Sequence, residues 1–547
     1  MLTTPTTTHE VLNQVPPLEG RNLFADHAAL REGLEREGAG WARDRLHAAG
    51  AFWGGEPMRW GFEANEHPPV LHTHDRFGHR RDEVEFHPAW HALMRAGVEQ
   101  ELHALPWRTD QQGAHVARAA TYVCSGQAEA GFGCPITMTF AAVPALRTQP
   151  DVAAEWVPRL TATSYDPELR PAAEKASALC GMAMTEKQGG SDVRANTTRA
   201  LAGDDGWWEI TGHKWFCSAP MCDLFLVLAQ TDEGVTCFAL PRVLPDGARN
   251  EGFQLQRLKD KLGNRSNASS EVEFRGALAQ LVGEPGRGVP TIIEMVNHTR
   301  LDCVIGTAAG MRAAVANATW HAAHRSAFGK RLADQPLMVN VLADLAIESE
   351  AATAVALRLA RAYDEAPDDP NADAFKRLAT AIAKYHVCKR APGHAFEALE
   401  CLGGNGYVEA SGMPRLYREA PLASIWEGSG NVMALDVLRA LARSPEALDA
   451  FFAEVDEASG ADPRFDAFTA ATRAELSDAE AIEPRARRVV ERMALCLQGS
   501  LLVRHAPATV ADAFCAARLA GDAGLSYGTL PAGVDAAAIV ARHAPPV

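Results

Sequence analysis

The chain has 547 residues, is 47% hydrophobic and carries a formal net charge of −16. That length exceeds one core and predicts two to four domains, and the composition is that of a folded globular protein. The negative balance opposes non-specific nucleic-acid binding by the molecule as a whole; no run of about 18 apolar residues offers a membrane span, and eleven scattered cysteines without a C-x-x-C pair disfavour structural zinc.

The first 180 residues alternate helical stretches with loops rich in Pro and His. His87–Leu93 and Ala117–Gln127 carry apolar residues at helical spacing. Asn65 to Arg81 is polar and turn-rich and predicts a surface loop. The start, MLTTPTTTHEVLNQVPPLEG, lacks the layout of a signal peptide, so reduced thiols and a cytoplasmic location are expected. His67, His72, His74, His79, His87 and His91 cluster in sequence, and His87 and His91 stand four apart. No cysteine or carboxylate pattern completes a metal site around them, so no metal is expected.

The character changes after Gly181. WWEITGHKWF (Trp207–Phe216), Leu224–Gln230, Val235–Pro241 and SEVEF (Ser270–Phe274) read as antiparallel strands divided by Gly, Asp and Pro. From Val289 the helical period returns. Ala308–Ala323, Leu337–Tyr363 and Ala372–Ala391 are long, rich in Ala and Leu, and amphipathic, as in an up-and-down bundle. Pro367 to Asn371 separates two of them. Beyond about Ser444 further helices run to about Leu519, and the final GLSYGTLPAGV reads as loose. The expected domains are 1–180, 181–284, 285–443 and 444–547.

Two phrases bring chemistry together. MTEKQGGSDV (Met184–Val193) places Thr185, Gly189, Gly190 and Ser191 in one turn, where glycines admit a flat or anionic ligand and hydroxyls bond its edge. IWEGSGN (Ile425–Asn431) sets one carboxylate, Glu427, between an indole and a glycine, as suits a half-desolvated base. No G-x-G-x-x-G opens a helix after a strand and no P-loop is present, which disfavours those nucleotide folds. Cys217 reads as a buried small hydrophobe, and Trp207–Trp208 as packing within the β region, with base stacking the alternative.

With GHKWFCSAP (Gly212–Pro220), RSAFGKRLADQP (Arg325–Pro336) and LGGNGY (Leu402–Tyr407), these phrases resemble the acyl-CoA dehydrogenase family over roughly residues 70 to 440. MTEKQGGSDVRANTTRA and KDKLGNRSNASSEVEF are closer to its AidB-like alkylation-response flavoprotein branch. The resemblance implies an α+β, mainly α fold: a helical N-terminal domain, a middle antiparallel β domain, a helical bundle and an extra C-terminal helical domain. It implies FAD, an acyl-CoA-like substrate and a homotetramer. Met184, Thr185, Gly190 and Ser191 then meet the flavin and its phosphates, with Phe216 and Ser218 from the next strand. Arg325, Phe328 and Gln335 match positions that reach the FAD of a neighbouring subunit. Gly403 and Gly404 match the adenine side, and Trp426, Ser429 and Asn431 complete the cofactor loop.

Glu427 matches the family's catalytic base. A carboxylate in an apolar pocket is a stronger base, which removal of a weakly acidic α-proton requires. One branch of the family takes its base from a position that matches Thr299, and threonine cannot serve. The branch also implies protection of DNA from alkylation, with double-stranded DNA as a partner through Arg439, Arg485, Arg488 and Arg492. A solvated helix face is the default reading for Arg485, Arg488 and Arg492, and a phosphate-binding surface the alternative. From Glu446 to Val547 fifteen acidic residues face nine arginines and no lysine, which opposes DNA binding there. A metabolic dehydrogenase of unusual acyl-CoA and a DNA-associated protein with a structural flavin are the competing readings.

Overall fold

The computed structural model describes residues 8–478 and 480–546. Helices α1 (Ala28–Arg36), α2 (Arg43–Trp53) and α3 (Glu56–Glu66) open the chain, and α4 (Pro88–Glu99), α5 (Leu105–Arg108), α6 (Ala114–Ala128), α7 (Gly133–Leu146) and α8 (Pro150–Leu160) follow. Proline in the first turn starts α3, α4 and α8, where its missing N–H costs nothing. The His87 ring caps α4 by accepting from the Ala89 N–H.

Between α3 and α4 the expected surface loop is instead a hairpin, β1 (Val70–His74) paired antiparallel with β2 (Arg80–Glu85). Its residues are polar because the strands are mostly solvent-facing, which hid the alternation. Asp75 closes the turn by accepting from the N–H groups of Phe77 and His79 at 2.8 and 2.9 Å. Asp82 ties the hairpin to the β region by accepting from the Leu255 N–H at 3.2 Å. The clustered histidines have separate tasks. His72 contacts Glu85, His79 contacts Asp75, His67 stacks on His87, and His91 meets the Tyr165 hydroxyl.

The middle of the chain forms one sheet of seven strands, not the four read from the sequence. They are β3 (Cys180–Ala183), β4 (Arg199–Ala202), β5 (Trp207–Ser218), β6 (Leu224–Thr231), β7 (Gly234–Pro241), β8 (Phe253–Leu258) and β9 (Ser269–Val282). β6 pairs along one edge with β7 and along the other with β3 and β4. β4 continues through β5 and β9 back to β7, so the sheet closes on itself. The strands missed, β3, β4 and β8, are short. Trp208 packs its ring near Phe238 within the sheet, at 5.3 Å between centroids.

The bundle consists of α9 (Gly288–His324), α10 (Pro336–Glu365) and α11 (Pro370–Glu400), with α12 (Met413–Glu419) and α13 (Gly430–Arg443). A two-strand turn, β10 (Ser326–Ala327) and β11 (Lys330–Arg331), joins α9 to α10. α9 packs against α10 and α11 on one side and α6 and α7 on the other. There the fully buried Arg118 of α6 makes a bidentate pair with Asp302 of α9, at 2.7 and 2.6 Å, and Thr137 of α7 donates to the same carboxylate. Removing one partner of such a pair costs about 3–5 kcal/mol.

α14 (Pro445–Asp456), α15 (Pro463–Ser477), α16 (Ile482–His505), α17 (Ala508–Phe514) and α18 (Ala536–His543) complete the chain. The tail expected to be loose is fastened. The Gly528 N–H donates to Asp344, the Leu530 N–H to Asn340, and Leu530 is buried. Arg542 and His543 of α18 meet Glu350 of α10, so long-range ion pairs hold a segment that local sequence leaves unmarked. Among the described residues no helix is long and apolar enough to cross a membrane, and no group of three or more His, Cys, Asp and Glu side chains is arranged to hold a metal ion. All eleven cysteines are buried and free.

Candidate functional site

A cavity of about 1940 Å³ lies where α6 and α7, the sheet, α9 and the α12–α13 connection meet. Met184, Thr185, Gly190, Ser191, Phe216, Ser218, Trp426, Glu427 and Ser429 all line it, so residues up to 245 positions apart in sequence share one chamber.

The first wall is built on a buried charge. The Glu186 carboxylate accepts from the N–H groups of Thr197 and Thr198 at 2.7 and 3.1 Å and pairs with the Lys214 ammonium at 2.9 Å, both side chains fully buried. Burial alone would raise the Glu186 pKa; the ammonium and the N–H donors outweigh it and hold the carboxylate well below its ordinary range. This pair pins the turn to β5, where the Thr185 carbonyl accepts from the Trp215 N–H at 2.8 Å. Gly190 packs closely in this turn: a Cβ there would lie 2.3 Å from the Thr185 hydroxyl and force the Thr185 side chain to shift. A bulge between Lys214 and Cys217 then sets the aim of neighbouring rings. Phe216 lines the cavity, whereas Trp215 lies under the Lys259 ammonium, 3.1 Å from its ring centroid. Cys217 is fully buried.

Another part of the lining holds Glu427. Glu427 has φ +56°, a left-handed conformation that costs energy for a non-glycine residue. Three contacts impose it. Arg300 donates to the Glu427 carbonyl at 3.1 Å, and Lys384 donates to the Trp426 and Gly428 carbonyls. Asp436 fixes Arg300 at 2.9 Å. The Thr299 hydroxyl donates to Oε2 of Glu427 at 2.6 Å. Burial raises the Glu427 carboxyl above its ordinary 4.5, against the Thr299 bond and the charges of Arg300 and Lys384. The arrangement is a partly desolvated carboxylate with one oxygen fixed and the other facing an open chamber.

Of the remaining predicted residues, all but Arg439 stand away from this lining. Arg325 donates to the Asn13 carbonyl, Gln335 donates to the Ala327 carbonyl at 3.0 Å, and Phe328, at φ +52°, is 99% exposed. Gly403 and Gly404 are exposed with open space beside them. Asn431 accepts from Arg487 at 2.8 Å. Arg439 lines the cavity. Arg485, Arg488 and Arg492 do share a face of α16, but that face is turned onto α15. All three meet Glu475, and Arg485 also pairs with Asp478 at 3.2 Å. The face is therefore already neutralised in large part by its own neighbours.

Sequence reasoning missed the Glu186–Lys214 pair, the Arg300–Lys384 clamp, the α7 residues Cys134, Thr137 and Met138 in the lining, and the N-terminal segment at 14–20 that covers part of it. One signal was present. Lys214 occupies an inward position of β5, and a lysine there requires a partner.

Three family models match the chain. An adaptive response protein AidB N-terminal domain matches residues 13–167, an acyl-CoA dehydrogenase middle domain 181–277, and an acyl-CoA dehydrogenase C-terminal domain 286–442. The Escherichia coli (strain K12) protein AidB is 46% identical over 511 residues, covering 93% of this chain and 94% of that protein. Caenorhabditis elegans ACDH-11, solved in complex with C11-CoA, superposes with a TM-score of 0.85 at 26% identity over 94% of each chain. An acyl-CoA dehydrogenase from Bacillus anthracis, solved with FAD, shares the fold at a TM-score of 0.61 and 18% identity, over 79% of this chain and 77% of that one.

Proposed function

The chain belongs to the acyl-CoA dehydrogenase family, an oxidoreductase family acting on CH–CH groups, and we propose that it binds FAD and removes hydrogen from the α,β-carbons of an acyl thioester with Glu427 as base. The observation that carries this reading is the shared chamber. One lining presents the hydroxyls of Thr185, Ser191 and Ser218 beside Phe216, and the other presents a carboxylate whose pKa burial has raised.

The residues present fit a flavin. Thr185, Gly190 and Ser191 line the chamber together. The Trp426 indole N–H is buried and has no hydrogen-bond partner among the described residues. FAD, when bound, supplies the acceptor for the β-hydride. Thr185 and Ser191 would hold its ring and phosphate regions, and Phe216 and Ser218 its face and edge. Glu427 takes the α-proton onto its free oxygen. Thr299 keeps the other oxygen in place, and the Arg300–Lys384 clamp prevents the loop from relaxing out of its strained backbone. Raised basicity favours the transfer, because a base works best when its pKa approaches the operating pH.

Assembly as a tetramer is part of the proposal. Arg325, Phe328 and Gln335 lie outside the single-chain cavity, and the fully exposed Phe328 ring and the 85% exposed Leu337 support a contact with another subunit. Buried free cysteines support a cytoplasmic, reducing setting. DNA is no part of the reading we favour, since the arginine face is ion-paired within the chain. Reconstitution tests the cofactor assignment: purified protein should be yellow and release stoichiometric FAD on denaturation. Protein that takes up no FAD, or takes FMN instead, would reject it.

A further inference from the structure

Proton abstraction leaves one wall of the cavity unused, and that wall is polar. Glu129, Cys134, Lys261, Asn264, Arg415 and Glu419 line it. The Lys261 ammonium donates to the Asn267 carbonyl at 2.6 Å and the Ser269 hydroxyl at 3.0 Å, leaving one N–H with no acceptor among the described residues. Ser269 lies 3.2 Å from the Ser218 hydroxyl, so the wall runs on to the proposed flavin edge. One Glu419 oxygen accepts from the Asn264 N–H at 2.6 Å, and the other takes no donor among the described residues. The Arg415 guanidinium lies over the Phe62 ring and donates to the Ala128 carbonyl at 3.1 Å, and its other terminal nitrogen is buried with no partner among the described residues. Burial pushes Lys261 down to about 8. Burial, with Glu129 nearby, pushes Glu419 up to about 7. Cys134, Lys261 and Glu427 line the same cavity, so the wall shares its chamber with the proposed base.

A plain alkyl chain against this surface would strip water from an ammonium and a carboxyl and return no hydrogen bond, at about 1–3 kcal/mol for each group left unsatisfied. A carboxylate in the same place would meet two carboxyls of the wall. Lys261 and Arg415 are balanced by Glu129 and Glu419, which favours an uncharged polar group. Resting on the acyl-thioester reading above, we propose that the acyl group carries a hydroxyl or amide beyond its β-carbon, bound by Lys261 and Glu419. Lys261 offers the donor, and Glu419 can accept or donate near neutral pH.

Binding to the Glu427→Gln holoenzyme, which holds an acyl-CoA without turnover, tests this by calorimetry. Hexanoyl-CoA is compared with 5-hydroxypentanoyl-CoA, and pentanoyl-CoA with 4-hydroxybutanoyl-CoA, each pair matched in heavy atoms. At least one hydroxyl form should bind about tenfold tighter than its alkyl match, the gain of one hydrogen bond to a charged donor. Adding Lys261→Met or Glu419→Leu should remove that preference, with FAD content and melting temperature read alongside to show that each variant is folded. Alkyl forms that bind as tightly in both pairs would overturn the inference and leave the acyl-thioester reading standing, as would a hydroxyl preference that survives both substitutions. If none of the four thioesters binds, the acyl-thioester reading falls and this inference with it.

Discussion

Thr299 on α9 donates its hydroxyl to the Glu427 carboxylate at 2.6 Å across 128 positions of sequence. The bond favours the charged form of a group that burial pushes the other way. It therefore sets how basic Glu427 is, as well as where its oxygens point.

Thr299→Val removes that bond and preserves shape. With the donor gone, the Glu427 pKa should rise further. The base acts only when deprotonated, so the rate of flavin reduction rises with pH through this pKa. In wild type that acid limb should lie above the ordinary carboxylate value, and in the variant it should move to higher pH still. Anaerobic stopped-flow reduction across pH measures both limbs, and an unmoved or lowered limb would show that Thr299 does not tune the base.

Glu186→Gln should destabilise the protein by about 3–5 kcal/mol, because it leaves Lys214 buried without its counter-charge. The turn carrying Thr185, Gly190 and Ser191 should loosen and FAD retention should fall with it. Thermal melts and cofactor content of the purified variant check this. Wild-type values for both would mean that the pair does not organise the turn.

Gly190→Ala should separate cofactor binding from folding. The new methyl would meet the Thr185 hydroxyl at 2.3 Å. Such overpacking typically costs about 1–3 kcal/mol and here falls on the cavity wall. FAD affinity should drop while the circular dichroism spectrum stays that of wild type. Unchanged affinity would place the flavin elsewhere.

Replacing Arg485, Arg488 and Arg492 by alanine should lower the melting temperature by loosening α15 from α16, since all three arginines meet Glu475. Any retardation of duplex DNA that wild type gives at low ionic strength should persist in the variant. Loss of retardation with an unchanged melting temperature would assign the face to phosphate binding after all.

Much of the site was legible because its residues sit in short local phrases. MTEKQGGSDV and IWEGSGN carry Thr185, Ser191 and Glu427, and the fold brings all three to one cavity. The bundle helices were legible from their period. What local pattern could not show was pairing between distant segments. β3, β4 and β8 are too short to alternate visibly, the 70–85 hairpin is polar because both strands face solvent, and the tail is fixed by Asp344, Asn340 and Glu350 of α10. The arginine spacing on α16 was read correctly, but Glu475 lies on another helix and its approach is a tertiary fact.

The central claim is that Glu427 removes a proton from an acyl thioester bound in this chamber. Anaerobic mixing of the FAD-loaded protein with an acyl-CoA panel, followed by absorbance, tests it most directly against Glu427→Gln. The account predicts that at least one acyl-CoA bleaches the wild-type flavin, and that the variant, equally yellow and equally folded, does so about 10²–10⁴-fold more slowly. Equal rates in the two proteins, or a wild-type flavin that no acyl-CoA bleaches, would contradict it.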